Sequence, residues 1–225
     1  LIVAPPTSES QLLDRVRGLA GATVGEVASH LELTPPPDLT RHKGWVGQLF
    51  ERALGATAAS RDEPDFLELG VELKSLPVTA DGRPVESTFV CTIPLGDLES
   101  VPWAHSRVRR KLARVLWLPF EGDRSIPVSF RRIGAGFLWS PSPVEEQALR
   151  DDWEELGGII GRGGIESLTA HLGQFLQVRP KAATSRVRRR AIDDEGLITE
   201  TLPRGFYLRT RFTAAVLRAN LHLAP

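Results

Sequence analysis

The sequence contains one cysteine, one tyrosine and no methionine. A single thiol, Cys91, excludes an internal disulfide framework and suits a reducing compartment, where lone cysteines act as small buried hydrophobes. The chain is therefore expected in the cytoplasm. Its five histidines, His30, His42, His105, His171 and His222, are scattered, and no two stand at the spacing that builds a zinc site on a helix or turn. No apolar run approaches the ~18 residues that span a bilayer, and the opening "LIVAPPTSES" lacks the charged and apolar regions of a signal peptide. Membrane insertion and export are accordingly not expected. Neither charge is in excess, because Lys plus Arg and Asp plus Glu both number 28. Any attraction for a polyanion must be local. No repeat of solenoid length is present.

What is there suffices for a proper core: 225 residues at 41% apolar content fit one large domain or two small lobes. Helical spacing of Leu12, Leu13, Val16 and Leu19 after Ser8 or Ser10 predicts a first helix ending at Gly21. "TVGEVASHL" predicts a second, and "RHKGWVGQLFERALG" a third that ends at Gly55. From Phe66 the period changes. "LGVELKSLPVT", the turn "ADG" and "RPVESTFVCTIPL" predict two strands joined as a hairpin. "RVLWLPF", "SIPVSFRRI", "QFLQVRP" and "GFYLRT" are further strand candidates, while "SRVRRKLA", "SPVEEQALRDDWEELGGII" and "TAAVLRANL" predict helices. Without regular alternation of strand and helix, the expected class is α+β with a central mixed sheet flanked by helices.

The segment "DFLELGVELKSL" carries chemistry. In a strand Glu72 and Lys74 share one face and Val71 and Leu73 the other, so the polar pair is expected to leave the core together. A straight strand would hold Asp65 roughly 23 Å from Glu72, but Pro64 and Gly70 offer bends that could bring it back. Two carboxylates without histidine or thiolate suit a hard cation such as Mg²⁺ that also accepts phosphate oxygens. A lysine beside them can orient the attacking water and offset phosphate charge. This D-x6-E-x-K skeleton also fits a solvated strand face with a cross-strand charge pair.

Three neighbouring features favour the first reading. Gly44, Gly47, Glu51 and Gly55 form one helical stripe, so Glu51 is either a third acid of the site or, as the stripe alone favours, an exposed glutamate beside Arg52. "HSRVRRKLAR" and "RPKAATSRVRRR" contain no acid and are separated by an acidic helix, as two walls of a phosphate-binding groove would be. "LPRGFYLRTR" interleaves Arg204, Arg209 and Arg211 with Phe206 and Tyr207, basic groups for phosphates and an aromatic for bases or sugars. The glycine run "GGIIGRGG" lacks the Gly-Lys-Ser/Thr ending of a nucleotide loop and reads as a flexible turn.

Taken together, "KGWVGQLFERALGA", "DFLELGVELKSLPV", "GRPVESTFVC", "RVLWLPFEGDRSIP", "LQVRPKAA" and "TLPRGFYL" resemble, in order and over nearly the whole chain, the MutH family of DNA mismatch-repair endonucleases. The resemblance implies a restriction-endonuclease-like PD-(D/E)xK fold, with residues 1–225 forming one endonuclease domain whose two lobes make a DNA-binding cleft. By position it makes Asp65 and Glu72 metal ligands together with the Leu73 carbonyl, Lys74 the lysine acting on the attacking water, and Glu51 a further metal-site acid brought in from the preceding helix. Lys111 matches a basic residue near the scissile phosphate. Lys43, Phe89, Arg179, Pro180, Lys181 and Tyr207 match the DNA-contacting set, with Tyr207 and Pro180 expected at the adenine methyl.

The implied activity is Mg²⁺-dependent nicking of the unmethylated strand at hemimethylated GATC, 5′ of the G, by a monomer that a MutL-type ATPase activates. The last helix is the candidate contact for that activator. The basic helix departs from the family pattern, with Arg110 where histidine and Ala113 where lysine are expected. "ATSRVRRRAIDDEG" is also richer in arginine than the family pattern. With leucine first and no methionine anywhere, the true start stays open. Two alternatives share these residues: a restriction enzyme of the same fold that cuts both strands, and a DNA-binding module without catalysis.

Overall fold

The computed structural model describes residues 3–40, 42, 44–58, 62–93, 101–168, 171–181, 189–192 and 198–221. Three short helices open the chain, each bounded where the sequence punctuates it. In α1 (Glu9–Leu19) the Ser8 side chain accepts from the Gln11 N–H. At the start of α2 (Val24–His30), Thr23 and Glu26 form a reciprocal capping box. Helix α3 (Trp45–Leu54) ends at Gly55, whose φ of 83° is left-handed. A β-carbon there would lie 2.4 Å from the Ala4 carbonyl oxygen, so both the angle and the close approach require glycine. The apolar stripes of the three helices meet in one core around Leu12, Val16, Val27, Leu49, Phe50 and Leu54.

The described chain divides into two compact units: Leu1–Glu86, Ala113–Ser140 and Ala214–Pro225 form one, and Ser87–Leu112 and Pro141–Thr213 the other. The class is α+β, with small sheets flanked by helices. In the first unit β1 (Glu72–Val78) runs parallel to β3 (Val115–Glu121), and β4 (Phe137–Trp139) pairs antiparallel with β3. This mixed sheet lays Val71, Leu73, Leu116, Leu118 and Phe120 on the helical core, where Phe50 and Phe120 pack edge to face. In the second unit β2 (Thr88–Thr92) and β5 (Leu176–Pro180) flank β8 (Arg204–Leu208), both antiparallel to it. Helix α4 (Arg107–Leu112) packs on β2 and α5 (Pro143–Gly161) on β5. Strands β6 (Arg189–Ile192) and β7 (Ile198–Thr201) pair as a separate ribbon, and α6 (Thr210–Leu221) follows β8.

Four sequence expectations are corrected. The segment after "ADG" does not form a two-stranded hairpin with β1. Only the bridge between Val78 and Pro84 forms there, and β2 pairs with β8 in the other unit. "SIPVSFRRI" is not a strand: Val128–Phe130 is a 3-10 turn closed by the Phe130 N–H to the Pro127 carbonyl, leaving Phe130 68% exposed. The first five residues of "GGIIGRGG" are the last turns of α5, because Ile160 continues the buried stripe of Leu149, Trp153 and Leu156; the chain turns only at Gly163, φ 80°. The polar pair at Glu72 and Lys74 shares a strand face as expected but does not leave the core, since both residues are buried. Among the described residues, no helix is long and apolar enough to cross a membrane.

Candidate active site

The bend before β1 is built from local bonds. Phe66 and Val71 exchange backbone hydrogen bonds of 2.9 and 3.3 Å across a 3-10 turn at Leu67–Leu69. Gly70 closes the turn in the left-handed region at φ 63°, with open space around its missing side chain. Dihedral freedom, not room, is what this glycine supplies. The reversal brings Asp65 alongside β1, where its Oδ2 accepts the Leu73 N–H at 2.8 Å. The Asp65 carbonyl in turn accepts from Thr57 and Ala58 N–H, fixing the residue from its other side.

Glu72 N–H donates to the Arg114 carbonyl on the β3 side of the strand. The backbone groups of Leu73 point the opposite way, to the edge of β1 away from β3, so its carbonyl shares that edge with its N–H and hence with Asp65. Lys74 Nζ donates to Glu72 Oε1 at 2.7 Å. Asp65, Glu72 and Lys74 are 8%, 4% and 8% exposed. Burial first, then the Glu72 charge, push the Asp65 carboxyl up to about 7, against the pull of the Leu73 N–H and of Lys74. Glu51, half-buried on α3, adds to the upward push. Helix α3 comes close to β1 at Gly47, where a β-carbon would lie 3.3 Å from Ser75 Oγ.

Two carboxylates and a strand-edge carbonyl are hard oxygen donors, and an acid that holds its proton near neutrality marks a place short of positive charge. The donor set therefore fits a hard divalent cation. Glu51 acts on Asp65 through charge but is not drawn into a three-ligand cluster. Among the described residues, no three His, Cys, Asp or Glu side chains group so as to hold a metal ion.

The remaining sequence candidates fall in the second unit, apart from Lys43, which lies outside the described residues. Lys111 is on α4 and 8% exposed. Phe89 and Tyr207 are cross-strand partners with rings 5.3 Å apart, edge to face. Lys181 lies 4.1 Å from the centre of the Phe89 ring, and Arg179 and Pro180 are exposed at the end of β5. Alternation sets Pro180 with Leu176 and Val178, on the face opposite Tyr207, whose β5 partner is Gln177. The structure thus gathers Phe89, Lys181, Arg179 and Tyr207 on one sheet face and leaves Pro180 off it.

Several basic residues read as phosphate contacts are engaged otherwise. Arg109 bonds Glu146, Arg114 bonds Glu9 and Arg204 bonds Glu166, while Arg209 and Arg211 donate to the carbonyls of Leu172 and Gln174. Within the second basic run, residues 186–188 lie outside the described residues and Arg189 and Arg190 are described only as backbone of β6.

Sequence reasoning missed Asp152. Its carboxylate accepts the N–H groups of Gln174, Phe175 and Leu176 at 2.6, 2.6 and 2.7 Å and so fixes the start of β5. The available signal was its place on the otherwise apolar stripe of α5, between Leu149 and Trp153. Asp152→Ala is expected to strand these donors and cost about 2–3 kcal/mol in chemical unfolding, whereas alanine at exposed Asp151 should leave stability unchanged.

Comparison with known proteins gives the chain its kinship. The model of the family described as the DNA mismatch repair enzyme MutH matches residues 54–152, a span that includes Asp65, Glu72 and Lys74. The DNA mismatch repair protein MutH of Serratia proteamaculans (strain 568) is 54% identical over 213 residues, covering 95% of this chain and 93% of the relative. MutH of Yersinia pseudotuberculosis serotype IB (strain PB1/+) is 53% identical over 220 residues, covering 98% and 96%. MutH of Yersinia enterocolitica serotype O:8 is 52% identical over 220 residues, with the same shares. With similarity of this depth along almost its entire length, the chain belongs to the MutH family of DNA mismatch repair enzymes.

Proposed function

We propose that this mismatch-repair endonuclease uses Mg²⁺ to nick the unmethylated strand of hemimethylated GATC sites, 5′ of the G, as a monomer activated by a MutL-type ATPase. The observation that carries the reading is the folding back of Asp65 onto Glu72, Leu73 and Lys74.

In this reading Asp65, Glu72 and the Leu73 carbonyl hold the cation, and Glu51 adds negative charge from α3. When bound, Mg²⁺ supplies Lewis-acid polarisation of the phosphate and water oxygens. Lys74 holds Glu72 in place through one ammonium proton, which leaves further donors for a water or phosphate oxygen at Nζ. Lys111 serves as a further positive group toward the scissile phosphate, and Lys43 belongs to the DNA-contacting set. The face carrying Phe89, Arg179, Lys181 and Tyr207 reads the site, and Pro180 meets DNA from the end of β5. An N6-methyl group replaces a donor hydrogen in the major groove with apolar bulk, so a close-packed reader such as Tyr207 excludes it sterically. One set of Asp65, Glu72 and Lys74 per chain addresses one phosphate, hence one strand.

The test is a cleavage assay with Mg²⁺ on matched duplexes carrying GATC unmethylated, hemimethylated or fully methylated, resolved strand by strand. Nicks confined to unmethylated strands, 5′ of the G, are expected. Linear products from hemimethylated plasmid, or cutting independent of GATC, would overturn the reading.

A further inference from the structure

Arg179 and Lys181 leave β5 on the sheet face that carries Phe89 and Tyr207, and both reach across β8 toward β2. Arg179 is in register with Gly205, which has no side chain to block the way. A β-carbon on Gly205 would lie 2.8 Å from the Phe89 ring and 3.0 Å from the Cys91 carbonyl oxygen, so the bare backbone also seats that ring. Arg179 Nη1 donates to Ser87 Oγ at 2.6 Å. Lys181 Nζ donates to Thr92 Oγ1 at 3.0 Å while lying over Phe89. Ser87 lies next to the first residue of β2, and Thr92 is the last.

We infer that Ser87 and Thr92 are positioning residues for site recognition, holding the Arg179 guanidinium and the Lys181 ammonium in reading positions before DNA arrives. This rests on the reading that the Phe89–Tyr207 face meets DNA. The chemistry of the two holders carries the inference. Arg109, Arg114 and Arg204 are bound by carboxylates, which compete with a nucleic acid for the same donors. A hydroxyl fixes direction without neutralising charge. On Arg179 it occupies one of five N–H donors, so the others remain for base edges or phosphates, and on Lys181 it fixes the ammonium through a single proton. Long basic side chains lose much rotamer freedom on ordering, and that loss is incurred in the free protein wherever the holder is already in place.

The experiment measures equilibrium binding, without divalent ions, to a GATC duplex and to the same duplex with the site scrambled. Ser87→Ala and Thr92→Val are each expected to reduce the preference for GATC by about fivefold, the scale of one hydrogen bond. Ser87→Thr and Thr92→Ser, which keep the hydroxyl, should restore it. Thermal unfolding is followed on every variant, and if Thr92→Val melts early the comparison is made between Thr92→Ser and Thr92→Ala. Should the hydroxyl-free variants match wild type while Arg179→Ala and Lys181→Ala lose the preference, the positioning role is overturned and the DNA-facing reading stands. If Arg179→Ala and Lys181→Ala themselves bind both duplexes like wild type, the DNA-facing reading falls, and the inference falls with it.

Discussion

Removing the Lys74 ammonium or the Glu72 carboxylate is expected to slow strand nicking by about a thousandfold or more, the scale seen when a preorganised charge-stabilising group is lost. Duplex affinity should persist, because the cationic and aromatic face proposed to read DNA belongs to the second unit and this pair to the first. The two residues bond at 2.7 Å with both side chains buried, so each deletion takes a close opposite charge away from its partner. Lys74→Ala places Glu72 beside Asp65 with no cation between them, and Glu72→Ala leaves a buried ammonium without its carboxylate. Lys74→Gln and Glu72→Gln keep most of the volume and separate loss of chemistry from loss of fold, which a melting curve checks. Nicking at near wild-type rate by either glutamine variant would remove the pair from the reaction.

The neighbourhood of that pair shows where sequence reading succeeds. Gly70 announces a reversal because only a left-handed residue closes the turn, and the reversal alone converts a seven-residue separation into adjacency. Ser8, Thr23 and Gly55 likewise fix helix ends through bonds that involve near neighbours in the chain. For Phe89 and Arg179, spacing alone points to no role, and their place in a DNA-contacting set is what the resemblance to a known family implies.

What failed depends on distant partners. Alternation in "ESTFVC" predicts a strand but not which strand it joins, and β2 bonds to β8, more than a hundred residues later, instead of turning back on β1. Nor does a count of arginines say which are already engaged: Arg114 meets Glu9 and Arg109 meets Glu146 only after the chain folds. Asp152 went unread because a buried carboxylate serving three backbone donors looks, in sequence, like any acid on a charged helix. "SIPVSFRRI" misled through alternation alone, since its apolar Phe130 faces solvent.

Stability should depend on pH through Asp65 in the direction opposite to that of a salt-bridged carboxylate. Its folded-state pKa is raised from 3.8 to about 7, chiefly by burial and then by Glu72. Below the unfolded value both states are protonated and the group contributes no difference. As pH climbs from about 4 to about 7 the folded state keeps a proton that the unfolded state has released, so stability falls across this window. The three-unit gap corresponds to about 4 kcal/mol, all of it lost above the folded value. Asp65→Asn retains an oxygen that can accept the Leu73 N–H but cannot ionise. Its stability relative to wild type, from chemical unfolding in chelator, should therefore rise through the same window and then level off. Added Mg²⁺ should close that gap at pH 8 by stabilising wild type, with little effect on the asparagine variant, because the ionised carboxylate is the form that binds the cation. A difference curve flat from pH 4 to 8 would mean that Asp65 is not confined against Glu72 as the fold has it. An Mg²⁺ response equal in both proteins would place the cation elsewhere.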